Sequence, residues 1–354
     1  MASSIAEIWK QVRGSFQPRQ IIVGGFAATV LLGALVFWAD VSAVVDEVQR
    51  ANTGSVMVAM MMTAFIISSR TVAAAAVYRV VAEKAINQWF YVGYPVVGLF
   101  RVFLPGGYIT ASLVAAYVLS RSLDRRVGPL LLSLAVVEII HTVVSIIFFV
   151  GGFGALVSEN RMKSIVPAPD SAITLLVSLG IIFLILVITV YVGRQRLWNL
   201  VEQLMDTITE KSPLFARYIE EVNGNRERAS SFREMIGQFL RARPSLLMAA
   251  GFGVIAQFAV VIALYVSVRS VGGRLSFDAA MASMLPSRLG GLGIFPGGLG
   301  GVETAMTGLL LVFTDLERSG AVAATIVYRA TTFWVEAVVG TLAGGVLVVL
   351  MIRD

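Results

Sequence analysis

The stretch from Leu285 to Glu303, LPSRLGGLGIFPGGLGGVE, lies between two long apolar runs and cannot form a continuous helix. Pro286 and Pro296 lack the amide hydrogen that a helix interior needs. Gly290, Gly291, Gly293, Gly297, Gly298, Gly300 and Gly301 lower the cost of leaving helical backbone still further. The chain has to break there, within sequence apolar enough to lie in lipid. In a bilayer, broken backbone survives only where protein or a watery cavity covers its free N–H and C=O groups. The break also opens a new helix near Gly297 to Gly301, whose amides, with no Cβ in the way, can close around a phosphate or carboxylate.

Composition identifies the solvent. Of the 354 residues 57% are hydrophobic and 14% charged, with a mean hydropathy of +0.82. A soluble domain is roughly half apolar and about 25% charged, so this is a polytopic membrane protein. The absence of cysteine excludes disulfides, thiolate catalysis and Cys-ligated metals, and a single histidine leaves little for zinc or a Ser/His triad. No metal or cofactor is expected. The net charge of +6 fits basic loops beside anionic lipid; no compact Lys/Arg cluster with interleaved aromatics points to nucleic acid.

In chain order, a polar segment with Lys10, Arg13 and Arg19 precedes an apolar run over 21–39, about the ~20 residues of a spanning helix and read as a retained first span. Further spans are expected over 55–78, 127–149, 173–191, 245–268 and 321–351. Two regions between them, 88–120 and 276–313, are apolar but interrupted, the first at Leu104-Pro105-Gly106-Gly107 and the second at Phe295-Pro296-Gly297-Gly298.

These interruptions recur at a constant offset. Pro95 and Pro286, Pro105 and Pro296, Gly106 and Gly297, Gly107 and Gly298, and Asp124 and Asp315 all differ by 191. The chain therefore reads as two related halves. Two spans precede the first hairpin and three lie between the hairpins, so the two hairpins enter from opposite sides, as in an inverted repeat. Arg79, Lys84, Arg121, Arg125, Arg126 and the 194–244 segment fall on one side, and Asp40, Asp46, Glu47 and Asp315 on the other. The positive-inside rule then puts both termini in the cytoplasm of a cell-membrane protein. The expected fold class is an all-α polytopic helix bundle with inverted repeats and two broken, re-entrant Pro-Gly-Gly hairpins. Its parts are an N-terminal membrane repeat with a connecting helix (1–193), a cytoplasmic amphipathic helical segment (194–244) and a C-terminal membrane repeat (245–354). The middle segment places Leu197, Leu200, Val201 and Leu204, then Phe232, Met235, Ile236 and Phe239, at helical spacing. Gly340 and Gly344 read as close packing inside the bundle rather than as a dimer face.

Charges inside the spans carry the functional signal. Arg70, Arg101, Glu138, His141, Arg288, Glu303, Arg329 and Glu336 fall in or beside membrane-depth sequence. There each charge costs at least ~2.5 kcal/mol unless it is paired or wetted. Glu138 and His141 are three apart and share a helix face, as Arg329 and Glu336 do at seven apart; Glu303 opens the half-helix after Pro296. Individually such residues can be buried ion pairs locking helices together. As a set around two broken hairpins they point to a substrate or ion pathway.

Phe295-Pro296-Gly297-Gly298-Leu299-Gly300-Gly301-Val302-Glu303, followed by Tyr328-Arg329 and Phe333-Trp334, resembles the C-terminal signature of the lysylphosphatidylglycerol synthase transmembrane, or flippase-like, family. The first half departs from the family's usual pattern at Thr110, where an acidic residue is common, and at Ile139, where an arginine follows the glutamate. The resemblance implies a membrane domain, without a soluble synthase domain, that moves a lipid with an anionic or modified headgroup between leaflets. It is then no enzyme, and its partners are membrane lipids, with a second copy or a separate synthase or glycosyltransferase as protein partners. On this reading Arg288 and Arg329, with the amides of Gly297, Gly298 and Gly300, hold a phosphate-bearing headgroup. Glu303 and Glu336 balance the arginines beforehand. Arg70, Arg101, Pro105, Gly106 and Gly107 serve the other half of the path. The competing reading is a secondary transporter of a small polar solute or ion, in which Glu138 and His141 relay protons.

Overall fold

The computed structural model describes residues 18–82, 85–103, 107–158, 237–239, 241–289 and 296–353, and among them the regular structure is entirely helical. The elements are α1 (Pro18–Trp38), α2 (Val41–Gln49), α3 (Thr53–Val81), α4 (Gln88–Gly93), α5 (Val96–Phe103), α6 (Gly107–Ser122), α7 (Val127–Ser158), α8 (Arg243–Ser270) and α9 (Phe277–Leu289). A 3₁₀ turn (Pro296–Gly298) leads into α10 (Gly301–Phe313); α11 (Arg318–Arg329) then runs through a π turn (Ala330–Trp334) into α12 (Val335–Arg353). The expected span over 173–191 and most of the 194–244 segment lie outside the described residues.

By internal contacts the chain divides into two units. One joins Arg19–Gly152 with Glu234–Asp354 and contains nearly every described helix; the other comprises Met1–Pro18 and Phe153–Arg233. In the second unit the described residues are Pro18 and the last turns of α7, 153–158.

Four helices of the described residues are long and apolar enough to cross a membrane: α3, α7, α8 and the continuous Arg318–Leu350 run of α11 and α12. The protein is an all-α integral membrane bundle. Gly25–Trp38 of α1 and Val41–Gln49 of α2 pass the same test together, bent by 88°. The bend has a local cause. Asp40 takes a φ of 70° and its carboxylate accepts the amides of Ser42 and Ala43, so it caps α2 while ending α1. Arg318 lies over the Trp38 ring at 4.8 Å, and Ala39, Val44 and Val322 form a small core that seats α2 on α11.

The centre of the larger unit is the α3–α8 pair. Ala73, Ala74, Ala75 and Ala76 on α3 and Ala256, Ala259 and Ala263 on α8 are almost completely buried, because small side chains let two helix backbones approach within lipid. The Asn52 amide at the head of α3 donates to the Ser270 carbonyl at the foot of α8 at 2.8 Å, so the pair is antiparallel. α7 runs parallel to α8, as His141 lies against Gly253 and Ser145 bonds Gln257 one turn on. α12 packs on α5 so tightly that a Cβ on Gly340 would lie 2.8 Å from the Pro95 carbonyl. This is the close internal packing read from Gly340 and Gly344.

The offset seen in the prolines recurs in the helix boundaries. α6 ends at Ser122 and α10 at Phe313, 191 apart; α7 starts at Val127 and α11 at Arg318, again 191 apart; α3 and α8 start at Thr53 and Arg243, 190 apart.

Candidate functional site

Two arginines from separate helices converge on Glu336, near the middle of the Arg318–Leu350 run. Arg70 of α3 donates from Nη1 to Glu336 Oε1 at 3.3 Å, and Arg101 of α5 brings Nη1 to 3.7 Å from the same oxygen. Arg101 is also ion-paired with Glu138 of α7, and it donates to the hydroxyl of Tyr94, buried at the α4–α5 corner. Gly98 lies directly beneath Glu336: a Cβ there would fall 2.5 Å from Glu336 Cγ. The side chains of Arg70 and Arg101 are 12% and 11% exposed, so their charge is screened mainly by these carboxylates. Arg70, Arg101, Glu138 and Glu336 thus form a neutral network drawn from α3, α5, α7 and α12. Two guanidinium groups converging on one carboxylate is an arrangement that a phosphate can take over, since its oxygens accept from both at once.

A second ion pair holds the C-terminal hairpin. Arg329, the last residue of α11, donates from Nε to Glu303 Oε1 at 2.5 Å and from Nη2 to the Gly297 carbonyl at 3.1 Å. Its guanidinium lies over the Phe333 ring at 3.8 Å. The other carboxylate oxygen of Glu303 accepts the Gly300 amide at 2.7 Å, and Glu303 is 3% exposed. Gly297, Gly298 and Gly300 all have positive φ (59°, 68° and 85°), which aims the turn into α10 as only glycine does at low cost. The amide cradle expected to meet an external anion therefore holds an internal one.

The expectation that Arg329 and Glu336 share a face is corrected here. Seven residues of α-helix return nearly to the starting direction, but the π turn Ala330–Trp334 intervenes. Its extra residue rotates the remainder of the helix by about 100°. Arg329 turns to the hairpin and Glu336 to Arg70 and Arg101.

The remaining expected residues are dispersed. Glu138 and His141 share α7, but Glu138 pairs with Arg101 while His141 is buried against Gly253 of α8. Gly107 opens α6, Pro105 and Gly106 lie outside the described residues, and Arg288 belongs to α9 with its side chain outside them. Formal charges alone do not point to Tyr94 and Gln257, both buried polar residues in apolar surroundings. The tyrosine beside Pro95 and the lone amide within α8 are the signals the sequence holds for them.

Compared with known families, the chain matches the family model described as the lysylphosphatidylglycerol synthase TM region over residues 22–340. No curated protein matches it.

Proposed function

Since the chain belongs to the family of lysylphosphatidylglycerol synthase TM regions, we propose that it is a lipid translocase. It moves a lipid with a phosphate-bearing or otherwise anionic or modified headgroup, a phospholipid or a polyprenyl-phosphate lipid, from one leaflet to the other. The observation that carries this reading is the pair Arg70 and Arg101 facing Glu336, with Arg70 and Glu336 each well inside a membrane-length helix.

A headgroup phosphate crossing the apolar core needs cations that are already paid for in folding, while its tails stay in lipid. Glu336 and Glu303 hold those cations until the headgroup arrives. Its phosphate then displaces Glu336 from Arg70 and Arg101, and Glu303 from Arg329 and the Gly300 amide. The groove opens sideways between two hairpins that enter from opposite faces of an inverted repeat. Arg79, Arg121, Arg125 and Arg126 mark the cytoplasmic side of the cell membrane, where both termini lie. The protein moves its lipid without chemical change.

The test is translocation of fluorescent phospholipids and of a polyprenyl-phosphate lipid in proteoliposomes, for wild type and Arg329→Ala. Headgroup-selective movement in the wild type, lost in the variant, supports the reading. If well-folded wild-type protein moves none of these lipids, the reading fails and transport of a small polar solute takes its place.

A further inference from the structure

α7, whose Glu138 belongs to the ion network, carries a second polar contact two turns on, with α8. Ser145, fully buried, donates from Oγ to Gln257 Oε1 of α8 at 3.0 Å, and His141, one turn earlier on α7, is buried against Gly253, one turn earlier on α8. Gln257 is 4% exposed, yet its Nε2 has no hydrogen-bond partner among the described residues. It is the fifteenth residue of the 28 in α8, so this amide lies near mid-membrane. A donor buried there without a partner costs ~1–3 kcal/mol. Such a group persists where a ligand completes it.

An independent observation comes from the internal offset. Ser145 and Glu336 are 191 residues apart, and α8, which carries Gln257, begins 190 residues after α3, which carries Arg70. The α7–α8 contact is therefore the counterpart of the α12–α3 contact. In one copy the contact is an ion pair; in the other it is a hydroxyl and an amide. Glu138, His141 and Ser145 lie at i, i+3 and i+7 on one face of α7 and connect the two. Seven residues of helix separate them by roughly 10 Å along the axis, the reach of a phosphate plus one sugar-sized ring.

We propose that Gln257, Ser145 and His141 form an uncharged subsite for the hydroxyl-bearing part of a lipid headgroup whose phosphate sits at Arg70 and Arg101. This rests on the translocase reading and narrows its substrate to lipids with a polyol or sugar beyond the phosphate. The Gln257 amide donates to a headgroup hydroxyl oxygen, and Ser145 and His141 line the same side.

The test compares phosphatidylinositol with phosphatidylethanol, two phosphodiesters of equal charge of which only the first carries headgroup hydroxyls. Thermal stabilisation of the detergent-solubilised protein by each lipid is measured together with proteoliposome translocation, for wild type, Gln257→Leu and Gln257→Glu. The wild type should prefer phosphatidylinositol, and both variants should reduce that preference about tenfold, the ratio expected for one hydrogen bond to a buried donor, while phosphatidylethanol is handled as by the wild type. Equal losses for both lipids, or an unchanged preference in folded variants, would overturn the subsite. Selective stabilisation that depends on Gln257, with no lipid translocated by the wild type, would retain the subsite and overturn the translocase reading instead.

Discussion

Glu303 and Arg329 meet at 2.5 Å across 26 residues of sequence, and the same carboxylate takes the Gly300 amide. The new helix after the Pro-Gly-Gly break is thus locked to the preceding half of the last span by an internal anion. An arginine and helix-terminal amides are the donors that also bind phosphate, so on the proposed reading a headgroup competes for the contact that holds the hairpin.

This pair should be strongly coupled in stability. Glu303→Ala strands a largely buried guanidinium and is expected to cost ~3–5 kcal/mol, whereas Glu303→Ala with Arg329→Ala should recover a large part of that loss. Denaturation of the four proteins of the cycle in detergent measures it. Additive losses would mean the pair does not stabilise the hairpin.

Glu336→Gln keeps the shape of the side chain and removes the negative charge that Arg70 and Arg101 share. The variant should melt at lower temperature without lipid and gain more from an anionic lipid than the wild type does, because no carboxylate competes. Thermal shifts with phosphatidylinositol against phosphatidylcholine check this. An equal gain in both proteins would show that Glu336 does not compete with the headgroup.

Deleting the exposed Ala330 should convert the π turn into ordinary α-helix and swing Glu336 back by about 100° toward the face of Arg329. Helix content by circular dichroism should hold while translocation falls by at least about tenfold, since Arg70 and Arg101 lose their shared carboxylate. Wild-type translocation by the deletion variant would show that the π turn has no part in aligning the site.

Gly297→Ala meets two penalties at once. The residue has φ 59°, and a Cβ would fall 2.5 Å from a Phe333 ring carbon and 2.9 Å from the Val102 carbonyl. A loss of ~1–3 kcal/mol is expected from the backbone alone. Gly345→Ala is the control: it lies in α12 with nothing within 4 Å, so helix propensity should make it neutral or stabilising by up to ~1 kcal/mol. Melting temperatures of the two variants test the contrast, and equal values would remove the steric account of the turn.

Sequence alone settled the features that depend on solvent and on local backbone chemistry. Hydropathy placed α3, α7, α8 and the last span, because burying apolar residues in lipid depends on composition and length rather than on a partner. Pro296 and the glycines after it set the start of α10, because missing donors and missing Cβ atoms act within a turn or two. The constant offset was legible for the same reason, since matching helix boundaries arise from matching local signals. Tertiary structure decided which charges meet. The partners of Glu336 on Arg70 and Arg101 lie 266 and 235 residues away, and no hydropathy pattern encodes which helix faces pack together. The separation of Arg329 from Glu336 needed one further residue of helical turn, a register change set by packing rather than by composition. Gln257 obeyed the same logic: an uncharged amide in an apolar helix becomes informative only when its surroundings show what it lacks. Helices in lipid are fixed one at a time by the solvent, but a polar interior exists only once several of them have chosen their neighbours.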